Sequence, residues 1–412
     1  MEERNWAGSH TYRGRLVRPR SVEELQSLVA AHDRVRALGT RHSFTDLADT
    51  DAADGMLVSL EDLPLALEID EQRRSVSVSG AATFDVVSRE LHRRGWALAT
   101  MASLPHISVA GAVATGTHGS GREVRALGSM VRALEVVQAD GELRRVARDH
   151  PDFAGSVVSL GALGVVTGVT LDLVPAFDMW QTVWLDLPWA AVTADFDAVM
   201  GSGYSVSLFT TWSGQTVQQA WVKGLADAPP PDLGPARRAT AALHMVPGMP
   251  SGAVTAQLGE VGPWHERLPH FRPSANPSTG AELQSEYLLP IERAGEAIEG
   301  LRGRAALLAP LLQVSEVRAV AADDLWLSGA YGGDAVALHF TWRPHWEGVH
   351  AVLPELERLL LGLGGRPHWG KCFAAGGPEL AAAFPMLHRF RELRDRSDPA
   401  GKFGNAFLDR FL

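Results

Sequence analysis

Two runs of this sequence have the residue types needed to bring main chain close to a ligand. Gly39-Thr40-Arg41-His42-Ser43-Phe44 follows the short run Val35 to Leu38. Residues 103 to 121 read Ser-Leu-Pro-His-Ile-Ser-Val-Ala-Gly-Ala-Val-Ala-Thr-Gly-Thr-His-Gly-Ser-Gly, nearly all small or β-branched and without a formal charge. Glycines and hydroxyls at two strand-loop junctions offer many backbone N–H groups to an anion such as pyrophosphate. A lone loop histidine is ordinarily a solvated surface residue. His42, set among these glycines and hydroxyls, is expected at the ligand instead.

Further along, His339 and Thr341 alternate on an extended run, so both project from one face and can line a polar pocket. Glu316 and Arg318 have the same strand parity and reach one face together, the alternative being a surface ion pair. Lys371 lies between Trp369 and Phe373, where desolvation would lower its pKa toward the range useful to a general base.

Other chemistries fit less well. Gly365-Arg-Pro-His-Trp-Gly-Lys371-Cys372 approximates a phosphate-binding loop, but it ends in Cys, and Pro367 and Trp369 spoil a nest of backbone donors. A Gly-x-Gly-x-x-Gly turn after a first strand is missing, as is a Gly-x-Ser-x-Gly elbow. His339, His345 and His350 fall at spacings of six and five, which match neither a helix face nor a zinc motif, so no metal is expected.

The elements that must position these groups can be sketched. Ser21 with Glu24 is a capping-box pattern that opens a helix at Leu25, Leu28 and Val29, ahead of a strand at Val35 to Leu38. Leu65, Leu67 and Ile69 with Val76 and Val78 predict a hairpin, and Thr83 caps a helix that ends at Gly95. A second hairpin turns at Asp140-Gly141, before a strand at Val169 to Val174. Ala226 to Pro235 reads as an exposed loop. Gln284 to Leu289, Gln313 to Val320 and Ala335 to Trp342 read as strands with polar residues at alternate positions, and Leu353 to Leu363 as a helix. The tail Asp398 to Asn405 is turn-rich, too polar for a core element, and expected beside a ligand.

The chain has 412 residues, so at ~150 residues per domain two domains are expected. Hydrophobic residues at 46% and charged residues at 21% exclude disorder and coiled coil as the main architecture. A net charge of -10 argues against nucleic acid or anionic lipid as a partner. Phe153 to Leu171 approaches the ~20 residues of a membrane span, but its glycines favour a buried helix-turn-strand. Cys372 stands alone, so no intrachain disulfide forms, and the opening residues lack a signal pattern. A cytoplasmic, monomeric protein is expected.

At these motifs the sequence resembles the flavoprotein oxidases of the vanillyl-alcohol oxidase and p-cresol methylhydroxylase (PCMH) superfamily, and within it the alditol (xylitol) oxidases. The carrying residues are Gly39 to Phe44, Ser103-Leu-Pro-His-Ile-Ser-Val-Ala-Gly111, Thr115-Gly-Thr-His-Gly119, Gln284-Ser-Glu-Tyr, Ser315-Glu-Val-Arg318, His339-Phe-Thr-Trp, His368-Trp-Gly-Lys371 and the closing Asp-Pro-x-Gly-Lys-Phe-x-Asn. The resemblance implies an α+β, two-domain flavoprotein. A PCMH-type FAD-binding domain would occupy 1–175, with 376–412 returning to it, and an α+β substrate-binding cap domain 176–375. It implies FAD held by Thr40, Arg41, His42, Ser43, Phe44, Ser103, Ser108, Gly111, Thr115, Gly116, Thr117, His118, Gly119, Val166 and His368, through an 8α-histidyl bond to His42. Substrate hydroxyls would meet Ser103, Gln284, Glu316, Arg318 and Thr341, with His339 and Lys371 at the reacting carbon.

The implied reaction is oxidation of the terminal hydroxyl of a polyol such as xylitol or sorbitol to the aldose, by hydride transfer to flavin N5 with O2 reduced to H2O2. Lys371 is the candidate base and His339 the runner-up. Ala102 would leave a small opening for O2. The nearest alternative is an aldonolactone oxidase or dehydrogenase of the L-gulonolactone type. A sugar-binding protein without catalysis gives no reason for His42 in a glycine-rich loop.

Overall fold

The computed structural model of the chain describes residues 2–273 and 282–412. Its first 175 residues build two small sheets and a two-stranded pair of Trp96–Ala97 with Val174–Pro175. Strands β1 (Arg15–Val17), β2 (Val35–Ala37) and β3 (Met56–Val58) form a parallel sheet in the order β1-β3-β2. Parallel strands need a crossover, and helix α1 (Val22–Ala31) follows β1. Ser21 Oγ accepts from Glu24 N as the capping pattern predicts, while the Glu24 carboxylate reaches Arg20 N rather than Ser21 N.

The second sheet is antiparallel. Its strands are β4 (Leu67–Asp70), β5 (Ser75–Ser79), β6 (Val131–Val137), β7 (Leu143–Ala147) and β8 (Val165–Asp172), in the order β4-β5-β8-β6-β7. Both expected hairpins are present. Strand β8 begins four residues earlier than the sequence suggests, because a register shift between Val166 and Gly168 carries the glycine without ending the ladder. Helix α2 (Phe84–Arg93) begins at the expected cap, Thr83, and Gly95 follows with φ +79°.

Among the described residues the third sheet has ten strands. Its central six are β9 (Asp178–Pro188), β10 (Ser205–Thr210), β11 (Thr216–Leu225), β12 (Leu283–Pro290), β13 (Leu312–Ala321) and β14 (Ala335–Trp342), all antiparallel in the order β9-β11-β10-β13-β14-β12. Alternation gives this sheet two unlike faces. Val206, Leu208, Val222, Tyr287, Val317, Ala319, Val336, Leu338 and Phe340 share an apolar cluster with helices α3 (Ala294–Arg302) and α4 (Trp346–Gly362). The other face carries the polar residues. Helix α4 starts seven residues before the expected Leu353, because His345 Nδ1 accepts from Gly348 N at 2.9 Å and caps it from outside the usual Ser, Thr, Asp and Asn set. The short strand Gly121–Arg125 pairs in parallel with β13, so the chain leaving the small-residue run enters the third sheet.

The C-terminal helices pack back onto the second sheet. Leu380, Phe384, Leu387, Phe390, Phe407 and Phe411 share one cluster with Val76, Val78, Phe84, Leu134 and Val169. Among the described residues no helix is long and apolar enough to cross a membrane. Phe153–Val157 is a short helix, followed by a turn and β8.

The tail corrects an expectation. Asp398, Lys402, Phe403 and Asn405 are buried, so this segment is a core element despite its polarity, and Asp398 and Lys402 border a space that shares Gly164 and Val166 with the glycine-rich cavity described below. Asp398 accepts from Lys402 N and Phe403 N, Lys402 Nζ donates to Val29 O, and Asn405 Nδ2 reaches Asp46 O, Leu47 O and Asp49 O. Its polar groups satisfy buried main chain. Arg36, fully buried on β2, completes this clasp by donating to Leu47 O, Leu160 O, Gly161 O and Phe403 O. Burial pulls its pKa down to about 10, against the carboxylates Asp51, Asp398 and Asp49. Arg36→Met would orphan the carbonyls of Leu160, Gly161 and Phe403, Leu47 O keeping its bond from Asn405; at about 1 kcal/mol or more each, this should lower the melting temperature by several degrees. An unchanged melting curve would show that the clasp is not stabilising.

Candidate active site

The polar face of the third sheet explains itself by register. Glu286 on β12 lies opposite His339 on β14, which lies opposite Glu316 on β13. Gln284 lies opposite Thr341 in the next row on the same face. Arg318, two residues along from Glu316, faces the small Ala337 across the strand pair. The row continues across β10 and β11, since Ser207 opposes Arg318 and Lys223 opposes Ser205. Such cross-strand partners point to the same side.

Glu286 is the charge at the centre. Arg318 Nη2 donates to its Oε1, Lys371 Nζ approaches Oε2 at 2.7 Å, and His118 Nε2 lies 3.2 Å from Oε1 without aligned hydrogen-bond geometry. Burial opposes the carboxylate, but Lys371, Arg318 and His118 outweigh it and hold the Glu286 carboxyl well below the usual range. Glu316 is also held well below, burial being outweighed by Arg318 and His270, whose Nε2 lies 2.7 Å from Oε1. Arg318 Nε is 3.6 Å from Glu316 Oε2, beyond hydrogen-bond reach, and is buried without another partner. An acceptor and a donor therefore stand side by side, and a hydroxyl group satisfies both.

The two base candidates differ. Burial lowers the Lys371 pKa against the pull of Glu286, toward neutrality, and its side chain keeps 15% of its surface, open to the cavity. Burial and the Lys371 charge push His339 well below its ordinary value, away from a base's useful range. Gln284 Nε2 donates to Glu282 Oε1, which turns the amide oxygen toward His339 Nε2 at 3.1 Å and fixes that nitrogen as the protonated one.

Two cavities of similar volume, about 240 and 210 Å³, adjoin here. The second collects Ser103, Gln284, Glu286, Glu316, Arg318, His339, Thr341, His118, His368 and Lys371, and Ala102 lines it as well. The first is glycine-rich and takes in Thr40, Arg41, Ser43, Ser108, Gly111, Thr115 and Val166. His42, Ile107 and Thr117 line both, so the two spaces are continuous.

The first cavity fits a flavin nucleotide on its own chemistry. The amide N–H groups of residues 39 to 43 find no acceptor among the described residues, and Arg41 has φ +63°, the left-handed conformation from which anion nests are built. Ser108 N donates to Thr40 Oγ1 and joins the two motifs. A Cβ at Gly39 or Gly111 would meet Ser108 Oγ at 2.8 Å, so a side chain at either position would need that hydroxyl to turn away. His42 Nε2 lies 3.0 Å from His106 Nε2, while His42 Nδ1 is buried without a partner of hydrogen-bond geometry, although the Thr40 backbone weakly favours its charged form. Burial and His106 hold His42 down at about 4, so the ring is neutral near pH 7. Trp6 stacks on it at 5.7 Å.

Not every expected residue lines these spaces. Phe44 is buried in the core of the third sheet, Gly116 turns the chain at φ +72°, and Gly119 is pressed against Thr100 and Met101; none of the three reaches either cavity. His118 and His368 face the polar cavity rather than the glycine-rich one, and burial drives His368 down to about 3. Sequence reasoning passed over Glu286, at the centre of the polar cavity, and His270 and Lys223, which back Glu316 from its far side.

Residues 14–147 match the FAD binding domain family, and residues 281–411 match the D-arabinono-1,4-lactone oxidase family. An alditol oxidase of Streptomyces sp. is 48% identical over 410 residues, covering 99% of this chain and 98% of that protein. An L-gulono-1,4-lactone dehydrogenase of Mycobacterium tuberculosis is 28% identical, with 99% of this chain and 98% of that protein covered. Cholesterol oxidase from B. sterolicum superposes with a TM-score of 0.81 at 15% identity over 99% of this chain and 96% of that one, which is a likeness of fold. With a full-length relative at this identity, an FAD-binding segment and the two-domain α+β fold, the chain belongs to the alditol oxidase family of the vanillyl-alcohol oxidase/p-cresol methylhydroxylase flavoproteins.

Proposed function

We propose that this protein is an FAD-dependent alditol oxidase, converting the terminal CH2OH of polyols such as xylitol and sorbitol to the aldehyde while O2 is reduced to H2O2. The observation that carries the reading is the convergence of Ser103, Gln284, Glu316, Arg318, His339, Thr341 and Lys371 on one cavity that opens into the glycine-rich one. A polyol offers only neutral hydroxyls, so it is discriminated by hydrogen bonds, and each buried group left unpaired costs about 1 to 3 kcal/mol. The row of donors and acceptors suits such a molecule. We assign flavin binding to 1–175 with 376–412 and substrate binding to 176–375.

In this reading the open amides of residues 39 to 43 cradle the pyrophosphate, with Ser108, Gly111, Thr115, Thr117 and Val166 along the nucleotide, and His42 Nδ1 forms the 8α-histidyl bond. Bound there, FAD would supply a two-electron acceptor for the substrate's hydride and would pass those electrons on to O2. Glu316 and Arg318 hold hydroxyls remote from the reacting one, supported by Gln284, Thr341 and Ser103. Lys371 takes the proton of the reacting hydroxyl, because burial moves it toward the working pH and burial moves His339 away. Glu286 keeps Lys371 and Arg318 in place.

The match of residues 281–411 supports a second reading, oxidation of an aldonolactone. Steady-state rates separate the two: kcat/KM for xylitol should exceed that for L-gulono-1,4-lactone by about tenfold or more, and the reverse order would select the lactone. Acid precipitation tests the link to His42. Yellow colour should stay with the precipitated chain and pass to the supernatant in His42→Ala, and colour lost from the unaltered protein would remove the linkage. A base must be deprotonated, so kcat should rise with pH through a Lys371 pKa below 10.5. Lys371→Met should lower kcat by roughly 10² to 10⁴-fold and flatten that rise. If the rise persists in Lys371→Met and vanishes in His339→Asn, His339 is the base.

A further inference from the structure

We propose that Lys223 and His270 form a buried positioning relay that fixes the tautomer of His270 and thereby holds Glu316 as an acceptor for substrate hydroxyls. The inference rests on the alditol reading for its substrate, but the relay itself is a matter of proton positions.

Lys223 sits on β11 with 1% of its surface exposed, and its ammonium touches no carboxylate. Its three N–H donors go to Leu268 O at 2.5 Å, Pro269 O at 3.1 Å and His270 Nδ1 at 3.1 Å. Burial lowers the Lys223 pKa to about 7 against the pull of Glu316. Its charged form, two of whose hydrogens go to the carbonyls of Leu268 and Pro269, has no lone pair, so Nδ1 of His270 is unprotonated and Nε2 carries the hydrogen. That hydrogen points at Glu316 Oε1, 2.7 Å away, with Ser207 Oγ a longer neighbour at 3.4 Å. The opposite tautomer would set a lone pair against a carboxylate in a site without water's screening. Phe209 and Trp221 meet the imidazole at ring distances of 5.6 and 5.4 Å in edge-on contacts and hold its plane.

The consequence for Glu316 is a division of labour between its oxygens. Oε1 is engaged by His270, so Oε2, beside the unpartnered Arg318 Nε, is the one left for a hydroxyl. The main chain around His270 adds a second tie, since His270 N and Phe271 N both donate to Ser103 O, at 3.1 and 3.2 Å. One residue therefore sets the distance between the substrate strand β13 and the small-residue run that borders the glycine-rich cavity. Neither Lys223 nor His270 need touch the reacting atoms for the relay to act.

The test compares the holoenzyme with Lys223→Met, His270→Leu and His270→Gln, using xylitol and 1-pentanol, which keeps the reacting hydroxyl and lacks the others. Lys223→Met and His270→Leu should raise KM for xylitol about ten- to a hundredfold, with the activity on 1-pentanol and the flavin spectrum little changed. His270→Gln, whose amide can still donate to Glu316, should restore most of the xylitol affinity. An unaltered xylitol KM in His270→Leu, or equal losses on both alcohols, would overturn the relay. Should the leucine variant fail to fold, nitrogen-15 spectra of the unaltered holoenzyme decide, with the His270 signal identified by its loss in His270→Gln. Nδ1 unprotonated and Nε2 protonated at neutral pH supports the relay, and the reverse overturns it. If the unaltered enzyme does not oxidise xylitol, the alditol reading fails, and these spectra still judge the relay.

Discussion

A carboxylate with 1% of its side-chain surface exposed, Glu286, sets the terms for the whole site. An isolated charge at that depth would cost several kcal/mol, so it persists only where cations meet it. Its three neighbours, two of them cations, come from separate parts of the chain. Arg318 comes from the neighbouring half of the third sheet, Lys371 from the stretch after helix α4, and His118 from the small-residue run. Neutralising one buried oxygen pair thus brings together the groups that line the polar cavity.

The same constraint links the two cavities. His118 lies in the run that lines the glycine-rich space, and the chain just beyond it, Gly121–Arg125, adds a parallel strand beside β13. Movement of the substrate sheet against the cofactor motifs would strain both the ion pairs and this ladder. Arg36 and the tail serve the other side of the glycine-rich cavity by tying Leu47, Leu160, Gly161 and Phe403 to one guanidinium. The open amides of residues 39 to 43 are then held by structure on both flanks, so little ordering remains for the ligand to impose.

Much of this was legible in the sequence, and for identifiable reasons. Strand parity placed Glu316 with Arg318 and His339 with Thr341, because alternation survives without knowledge of partners. Small-residue runs marked the lining of the glycine-rich cavity because such residues allow close backbone approach. Parity also held a signal that went unused: Glu286 follows Gln284 by two residues and must share its face. Lys223, a lone cation in the apolar run Ala220-Trp221-Val222, was a second such sign. His270 had none, since it lies on a loop without periodicity and meets Glu316 across 46 residues of chain. The tail was read as too polar for a core element, but its polar groups are consumed by buried main chain.

The central claim is that the Glu286 charge organises a pocket that activates a polyol. Its most direct test is anaerobic mixing of xylitol with the unaltered holoenzyme and with Glu286→Gln, followed by flavin absorbance. The account predicts rapid bleaching of the unaltered protein, and bleaching slowed by about a hundredfold or more in the variant at equal flavin content. Bleaching of Glu286→Gln at the unaltered rate would contradict it.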